Sequence, residues 1–485
     1  MTEYQRSILA GAVIIAWTSW CLWLYWRQRR VRAAAAGGAA LVAYASQSGT
    51  AEALARQKID DLKAEGYSGD EIRLLPLNQL TNEALLSTRR ALFVVSTFGD
   101  GEPPDNGRAF ARRYLNGARL PLDLSHLSYS VIALGDSAYT KFCAFGQAVY
   151  RGLAAMGAKP LQPLVRIDSG KPNTTSPGAG TADAVNYWQL ADRQLLNPSS
   201  PGDPLYRIEL RACGPSPAWR AGDVLTIRPR LARRVVEQWL ARQGVDGANW
   251  ITVAGHSRTL AAWLSERQLP DRICQPGQLL GGEFVDWPLL PEREYSVASR
   301  PEEGRLILLV RQRRGGLGSG WLTRYCPVGG FLAGCIRVNA HCHTLDHRRP
   351  ILLIGAGSGL AGLRAQLAER ARCPSPGRSW LIYGERSPEV DRHLASEIDG
   401  WLEAGTLSRC DRVFSRAGNG PRYVQHFLTA NGEQVASFLS QGADVYVCGS
   451  SAGMGEAVHR ALADLLGTQA VNRLLDEGRY RRDLY

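Results

Sequence analysis

At 485 residues, 45% apolar and 21% charged, the chain has room for roughly three domains and the composition of a folded globular protein, which excludes the disordered, collagen-like and disulfide-scaffold classes. Its net charge of +12 is unevenly placed: residues 1–37 hold five arginines against one glutamate, residues 38–195 come to +1, and the remaining residues hold +7. Only five basic residues are lysines and no long basic run lies beyond Arg32, so nucleic acid is not an expected partner.

The first element is Ile8 to Trp26, nineteen residues without a charge, close to the ~20 that a helix needs to span a bilayer. Trp17, Trp20, Trp23 and Trp26 gather at its end, and Arg27, Arg29, Arg30 and Arg32 follow. An aromatic belt with a basic flank predicts a transmembrane anchor and juxtamembrane segment over 1–37. The positive-inside rule then makes the chain a single-pass protein of an inner or plasma membrane, with its C-terminal part in the cytoplasm. Ten scattered cysteines without a CxxC pair fit that reducing compartment.

From 38 to 195, apolar runs alternate with helical patterns: LVAYA, AEALARQKIDDLKAEG, ALFVVSTFG, YSVIALGD, FGQAVYRGLAAMG. This predicts a doubly wound parallel sheet. A loop follows at 169–181 and a linker at 196–204. Residues 205–345 read as an antiparallel barrel with a helical insertion at about 231–266, and 346–485 as a second, Rossmann-like sheet. The fold class is therefore α/β: an N-terminal transmembrane helix, a doubly wound domain, a barrel and a Rossmann-like domain. His341, Cys342, His343 and His347 include zinc-type donors, but adjacent strand residues point to opposite faces, so no metal is expected there.

Three loops of the first sheet carry its chemistry. Ser46, Gln47, Ser48, Gly49, Thr50 and Ala51 lie between a strand and a helix, where amides and hydroxyls cradle a phosphate without a lysine. Ser96, Thr97, Phe98 and Gly99 end one later strand; Leu134, Gly135, Asp136, Tyr139, Phe142 and Cys143 follow another. A phosphate loop with two aromatic loops on one sheet edge suits a flat ring held between aromatic faces. Asp100, Glu102, Asp105 and Asp136 form an acidic rim suited to docking basic partners, including the chain's own +7 half.

These residues resemble the flavodoxin-type FMN domain of the diflavin reductases, and LGDSAYTKFC is similar to the sulfite reductase flavoprotein. The resemblance continues in REYSVAS, implying that Arg293 meets the FAD pyrophosphate while Tyr295 and Ser296 approach the isoalloxazine. RGGLGSGWL resembles the later pyrophosphate loop, with Gly316, Leu317, Gly318 and Ser319. ILLIGAGSG sets Gly355, Gly357, Ser358 and Gly359 in a nucleotide-binding turn, with Gly362 where the family usually has proline. Arg386, Ser415, Arg416, Arg422, Tyr423 and Gln425 are the implied partners of a 2′-phosphate, although Pro421 occupies the family's lysine position. CGSSAGMG and the ending RYRRDLY imply a hydride-transfer group of Ser296, Cys448, Asp483 and Tyr485, with Tyr485 also covering the flavin.

The resemblance implies an NADPH-dependent diflavin oxidoreductase of the NADPH–hemoprotein reductase type, with FMN, FAD and NADPH as cofactors and a haem or other one-electron acceptor as partner. A sulfite reductase flavoprotein subunit and a ferric-siderophore reductase are alternatives within that class. A nonenzymatic flavin-binding sensor or assembly factor is the alternative outside it. Only 70 positions separate Asp223 from Arg293, so the insertion is much shorter than in the long reductases.

Overall fold

In the computed structural model, which describes residues 40–485 apart from 48, 65–66, 99–100, 116–121, 137–140, 169–185, 254 and 419, the described residues build three large sheets in succession and one two-stranded hairpin. The first contains β1 (Ala40–Ala45), β2 (Ile72–Pro76), β3 (Arg90–Ser96), β4 (Ser128–Gly135), β5 (Lys159–Pro160) and β6 (Val165–Asp168). Its order is β2-β1-β3-β4-β5, with β6 also on β4, and every pairing is parallel. Helices α1 (Thr50–Ala64), α2 (Asp105–Phe110) and α3 (Ala144–Ala155) connect these strands. Leu41, Phe93, Val95, Val131, Phe110 and Val149 fill one face of the sheet, as expected where both faces of a parallel sheet are covered.

The second sheet is antiparallel, in the order β12-β9-β14-β7-β8-β13. Its strands are β7 (Asn186–Leu195), β8 (Leu205–Ala212), β9 (Val224–Arg228), β12 (Arg293–Ser296), β13 (Leu306–Arg311) and β14 (Phe331–Arg337). The core includes Trp188 and Trp219, whose rings meet edge-on at 6.2 Å. The boundary differs from the expected one, because residues 186–195 pair with β8 and β14 and so belong to this sheet rather than to the flavodoxin-like domain. The cause is hydrophobic alternation: Trp188 and Leu190 project into the barrel core.

The insertion is also larger than expected. α4 (Arg233–Gln243), the hairpin of β10 (Trp250–Val253) and β11 (His256–Thr259), and α5 (Leu260–Leu264) share a separate core. Phe284 joins Trp239 and Trp263 in that core, extending the unit beyond residue 266.

The third sheet is parallel, in the order β17-β16-β15-β18-β19. It comprises β15 (Ile351–Ala356), β16 (Ser379–Glu385), β17 (Arg409–Phe414), β18 (Asp444–Gly449) and β19 (Tyr480–Leu484), with α6 (Leu360–Arg370), α7 (Val424–Ala430), α8 (Glu456–Leu466) and α9 (Thr468–Asp476) among its helices.

The expected fold class is corrected in one respect. Among the described residues no helix is long and apolar enough to cross a membrane. The longest, α1, has 15 residues and carries Glu52, Arg56, Lys58 and Asp60. At 1.5 Å per residue it falls well short of a hydrocarbon core of ~30 Å. The anchor expected over Ile8–Trp26 lies outside the described residues. The expected single-pass placement in an inner or plasma membrane is corrected with it, and the described architecture is three domains without a spanning helix.

Candidate active site

All three loop groups of the first domain meet at the carboxyl edge of its sheet, where open α/β sheets bind ligands. Ser46 Oγ accepts the Ala51 N–H at 3.1 Å, folding the loop so that its amides gather at the start of α1. Gly49 has φ +85°, and a Cβ there would stand 2.8 Å from Val338 O. This cradle of amides, hydroxyls and a positive-φ glycine fits a phosphate. Thr97 N–H donates to Leu134 O at 2.8 Å, tying the second loop to the third. Cys143, in the left-handed region at φ 55°, starts α3 and is buried. Its thiol pKa is pushed up to about 11, chiefly by burial. Ser48, Gly99 and Tyr139 lie outside the described residues.

Phe98 packs against the core of the third sheet, with the Arg482 guanidinium 5.7 Å from its ring centroid. The phosphate-loop edge of the first domain is therefore docked on the other two. Arg337, at the end of β14, donates from Nη1 to Thr50 Oγ1 at 2.6 Å and pairs with Glu294. Arg482 of β19 forms a buried, two-point pair with Asp105 at the start of α2. Gln47 Nε2 donates to both Asp105 Oδ2 (3.1 Å) and Arg482 O (2.7 Å), and Arg112 pairs with Asp476 at 2.9 Å. Asp105, one member of the expected acidic rim, thus meets the basic half of the chain.

In the barrel, Arg293, Tyr295 and Ser296 lie on β12, directly beneath the Gly316–Ser319 loop. A Cβ on Gly318 would stand 2.5 Å from Tyr295 Oη and 2.8 Å from Arg293 Cβ, so glycine is required for this approach. Arg313 N–H donates to Ser319 Oγ at 3.1 Å, and a short helix begins at Leu317. Arg293 donates to Glu292 O at 2.9 Å. An aromatic face, a guanidinium and loop amides fit a flavin with its pyrophosphate.

The third sheet gathers the nucleotide residues. Gly355 lies near the end of β15, Gly357, Ser358 and Gly359 form the tight helical turn that follows it, and a Cβ on Gly359 would stand 2.1 Å from Cys448 O. Arg386 follows β16. Ser415 N–H donates to Glu385 O at 2.9 Å, and Arg416 N–H donates to Arg386 O at 2.8 Å. Arg422 Nε donates to Ser415 O at 3.3 Å, drawing a guanidinium to the place left by Pro421. Tyr423 is exposed beside His426, and Gln425 lies in the first turn of α7.

The expected hydride group also converges. Cys448 Sγ–H donates to Asp483 Oδ2 at 3.3 Å, and Tyr446 Oη–H donates to the same oxygen at 3.4 Å. Burial raises the Asp483 carboxyl above its ordinary pKa, opposed by hydrogen bonds from Ser296, Cys448 and Tyr446. Burial and the nearby carboxylate raise the Cys448 thiol well above its ordinary value. Tyr485 Oη lies 2.7 Å from Ser358 Oγ, joining the final residue to the glycine-rich turn. A Cβ on Gly362 would stand 2.9 Å from Cys448 Sγ and 3.0 Å from Asp483 Oδ2, so this departure from proline is packed tightly against the group.

Tyr446 was not among the expected residues, although its position two before Cys448 on one strand puts both on one face. Arg482 and Asp105 were also missed as a pair. His341, Cys342, His343 and His347 do not share a centre: His341 lies 3.7 Å from Asp105, His343 2.6 Å from Asp223 and His347 3.4 Å from Glu369, while Cys342 is buried near Asp483.

A flavodoxin-like sheet with a phosphate loop, joined to a barrel and a nucleotide-binding sheet, defines a flavin- and pyridine-nucleotide-linked oxidoreductase. The Flavodoxin family model matches residues 42–178, and the Oxidoreductase NAD-binding domain model matches 353–460. The chain is 24% identical over 542 residues to the sulfite reductase [NADPH] flavoprotein alpha-component of Bacillus subtilis (strain 168), covering 92% of this chain and 89% of the relative. It is 27% identical to the protein of that name from Shewanella sp. (strain MR-7), with the same coverage. The one from Neisseria meningitidis serogroup C / serotype 2a (strain ATCC 700532 / DSM 15464 / FAM18) is 28% identical, over 91% of this chain and 88% of its own. These matches support a diflavin reductase, with FMN, FAD and NADPH as its cofactors.

Proposed function

We propose that this NADPH-dependent diflavin oxidoreductase is of the sulfite reductase flavoprotein kind and delivers electrons to a hemoprotein partner. The observation that carries the reading is that the relatives bearing that name align along about nine-tenths of both chains, through all three domains. It supports a sulfite reductase partner over the expected general hemoprotein reductase and over a ferric-siderophore acceptor.

When bound, NADPH supplies a hydride and the two flavins divide that electron pair into single electrons. Ser46, Gln47, Gly49, Thr50 and Ala51 hold the FMN phosphate through hydroxyls and amides at the start of α1, with Ser48 from the same motif. Arg293 and the Gly316–Ser319 loop hold the FAD pyrophosphate, and Tyr295 excludes water from its ring. Gly357 to Gly359 bring the backbone close to the nucleotide pyrophosphate, while Arg386, Ser415, Arg416 and Arg422 supply donors to the 2′-phosphate. Asp483 Oδ2 accepts from Cys448 and Tyr446 and keeps both oriented beside Ser296. The test is to reduce sulfite reductase hemoprotein, cytochrome c and a ferric chelate side by side with NADPH. Preferred turnover of the hemoprotein supports the proposal, and faster reduction of the ferric chelate would refute it.

A further inference from the structure

Beside the expected 2′-phosphate partners stands a residue of the wrong charge. Glu385 ends β16, the strand that follows the glycine-rich turn. An acid after that turn is the usual acceptor for an adenosine ribose hydroxyl, and it repels a phosphate on the same atom. Arg386, Ser415, Arg416 and Arg422, the proposed 2′-phosphate donors, nevertheless come from the segments linked to it: Arg386 N–H and Ser415 N–H donate to Glu385, Arg416 N–H to Arg386 O and Arg422 Nε to Ser415 O. Bare, Glu385 would oppose all four.

Glu385 is not bare. Its Oε1 accepts from Arg311 Nη2 at 2.6 Å and from Tyr383 Oη–H at 3.2 Å, and His393 Nε2 lies 3.1 Å away. Its Oε2 accepts the Arg386 N–H at 3.2 Å. The side chain is 3% exposed, that of Arg311 11% and that of His393 0%. Arg311 arrives from the barrel, at the end of β13. Asp203 O takes its Nη1 at 3.0 Å, and its Nη2 lies 3.1 Å from where a Cβ on Gly357 would stand. Tyr383 Oη–H also reaches Gly357 O at 3.1 Å. The clamp therefore adjoins the turn that receives the pyrophosphate.

Glu385, Asp391 and His393 bring their ligand atoms within 4.8 Å of one another, which raises the question of a metal ion. The chemistry disfavours one. Glu385 Oε1 already faces Arg311, Tyr383 and His393, and Asp391 Oδ2 accepts the Ser387 N–H at 3.0 Å. A guanidinium at bonding distance supplies the compensating charge that an ion would bring.

We propose that Arg311 and His393 determine nucleotide specificity by clamping Glu385 away from the adenosine ribose and neutralising it, so that the site accepts a 2′-phosphate. This rests on the reading that places NADPH at Gly357, Arg386 and Ser415. Neither clamp residue needs to touch the nucleotide; both act through the carboxylate.

The test measures binding by calorimetry to the full chain, using 2′,5′-ADP and 5′-AMP, which differ only in the 2′-phosphate. Arg311→Ala should weaken 2′,5′-ADP about tenfold or more while changing 5′-AMP by less than about threefold, because only the former brings a phosphate, rather than a hydroxyl, against the released carboxylate. Adding Glu385→Gln should restore 2′,5′-ADP to within about threefold of wild type. Equal loss for both ligands, or no rescue by the second substitution, would overturn the clamp while leaving the nucleotide site in place. Wild-type protein that binds the two ligands equally would overturn the nucleotide-site reading, and the clamp with it.

Discussion

Asp105→Ala should release the first domain from the rest of the molecule. The Asp105 and Arg482 side chains are 0% and 2% exposed, and Arg482 Nε donates to Asp105 Oδ2 at 2.8 Å alongside a second, shorter contact. Arg108 Nε lies 3.3 Å from the same carboxylate. Burial lowers the Arg482 pKa to about 10, opposed by the Glu102 carboxylate, so the guanidinium is held in an environment that penalises its charge. Removing one member of a buried pair costs about 3–5 kcal/mol. If that cost falls on docking, the docked-to-separated ratio shifts by roughly two to three and a half powers of ten. Removing both charges, in Asp105→Ala/Arg482→Ala, should recover most of it, since the desolvation of Arg482 disappears with its partner. Small-angle scattering on the full chain reads the outcome as an increased radius of gyration for the single variant, with FMN content confirming that the domain remains folded. An unchanged radius, or a double variant as expanded as the single one, would refute the reasoning.

Gly359→Ala should abolish NADPH binding and lower the melting temperature, because its Cβ would lie 2.1 Å from the Cys448 carbonyl, a backbone atom with no rotamer to change; calorimetry and thermal unfolding check both effects. His341 should limit acid stability. Burial lowers its pKa from 6.5 to about 4, so the fold favours the neutral ring. Its stabilisation is present above pH 6.5 and is lost as pH falls toward 4, by up to about 3 kcal/mol at 1.36 kcal/mol per unit. Urea unfolding of His341→Gln between those values should give a flatter pH profile than wild type; an equally steep one would refute the assignment. Tyr446→Phe should weaken the hold on Asp483 and lower the hydride-transfer rate while leaving 2′,5′-ADP affinity within about twofold, since the side chain lies away from the phosphate donors.

Much of the architecture was legible because it follows local periodicity. Apolar runs between helical patterns marked both parallel sheets, and glycine turns marked their ligand edges. Asn186–Leu195 was harder to place, since a strand before a Pro/Ser/Gly linker reads as the end of the preceding domain, and only its pairing with β8 and β14 shows otherwise. The docking pair was illegible for a different reason: Asp105 and Arg482 stand 377 positions apart, and neither the acidic rim that holds one nor the C-terminal motif that holds the other indicates its partner. Glu385 carried a readable signal as an acid at a strand end after the glycine turn. Its clamp did not, because Arg311 comes from another domain and His393 from a loop. The apolar segment Ile8–Trp26 shows that hydropathy and a basic flank identify a candidate element without giving it a place in the described fold.

The central claim is that NADPH reduces two different flavins held by one chain. Anaerobic titration of the purified full chain, followed by absorbance and by flavin analysis after denaturation, tests it most directly. One FMN and one FAD per chain, both bleached by NADPH, is the predicted result; two bound flavins whose spectrum NADPH leaves unchanged would contradict it.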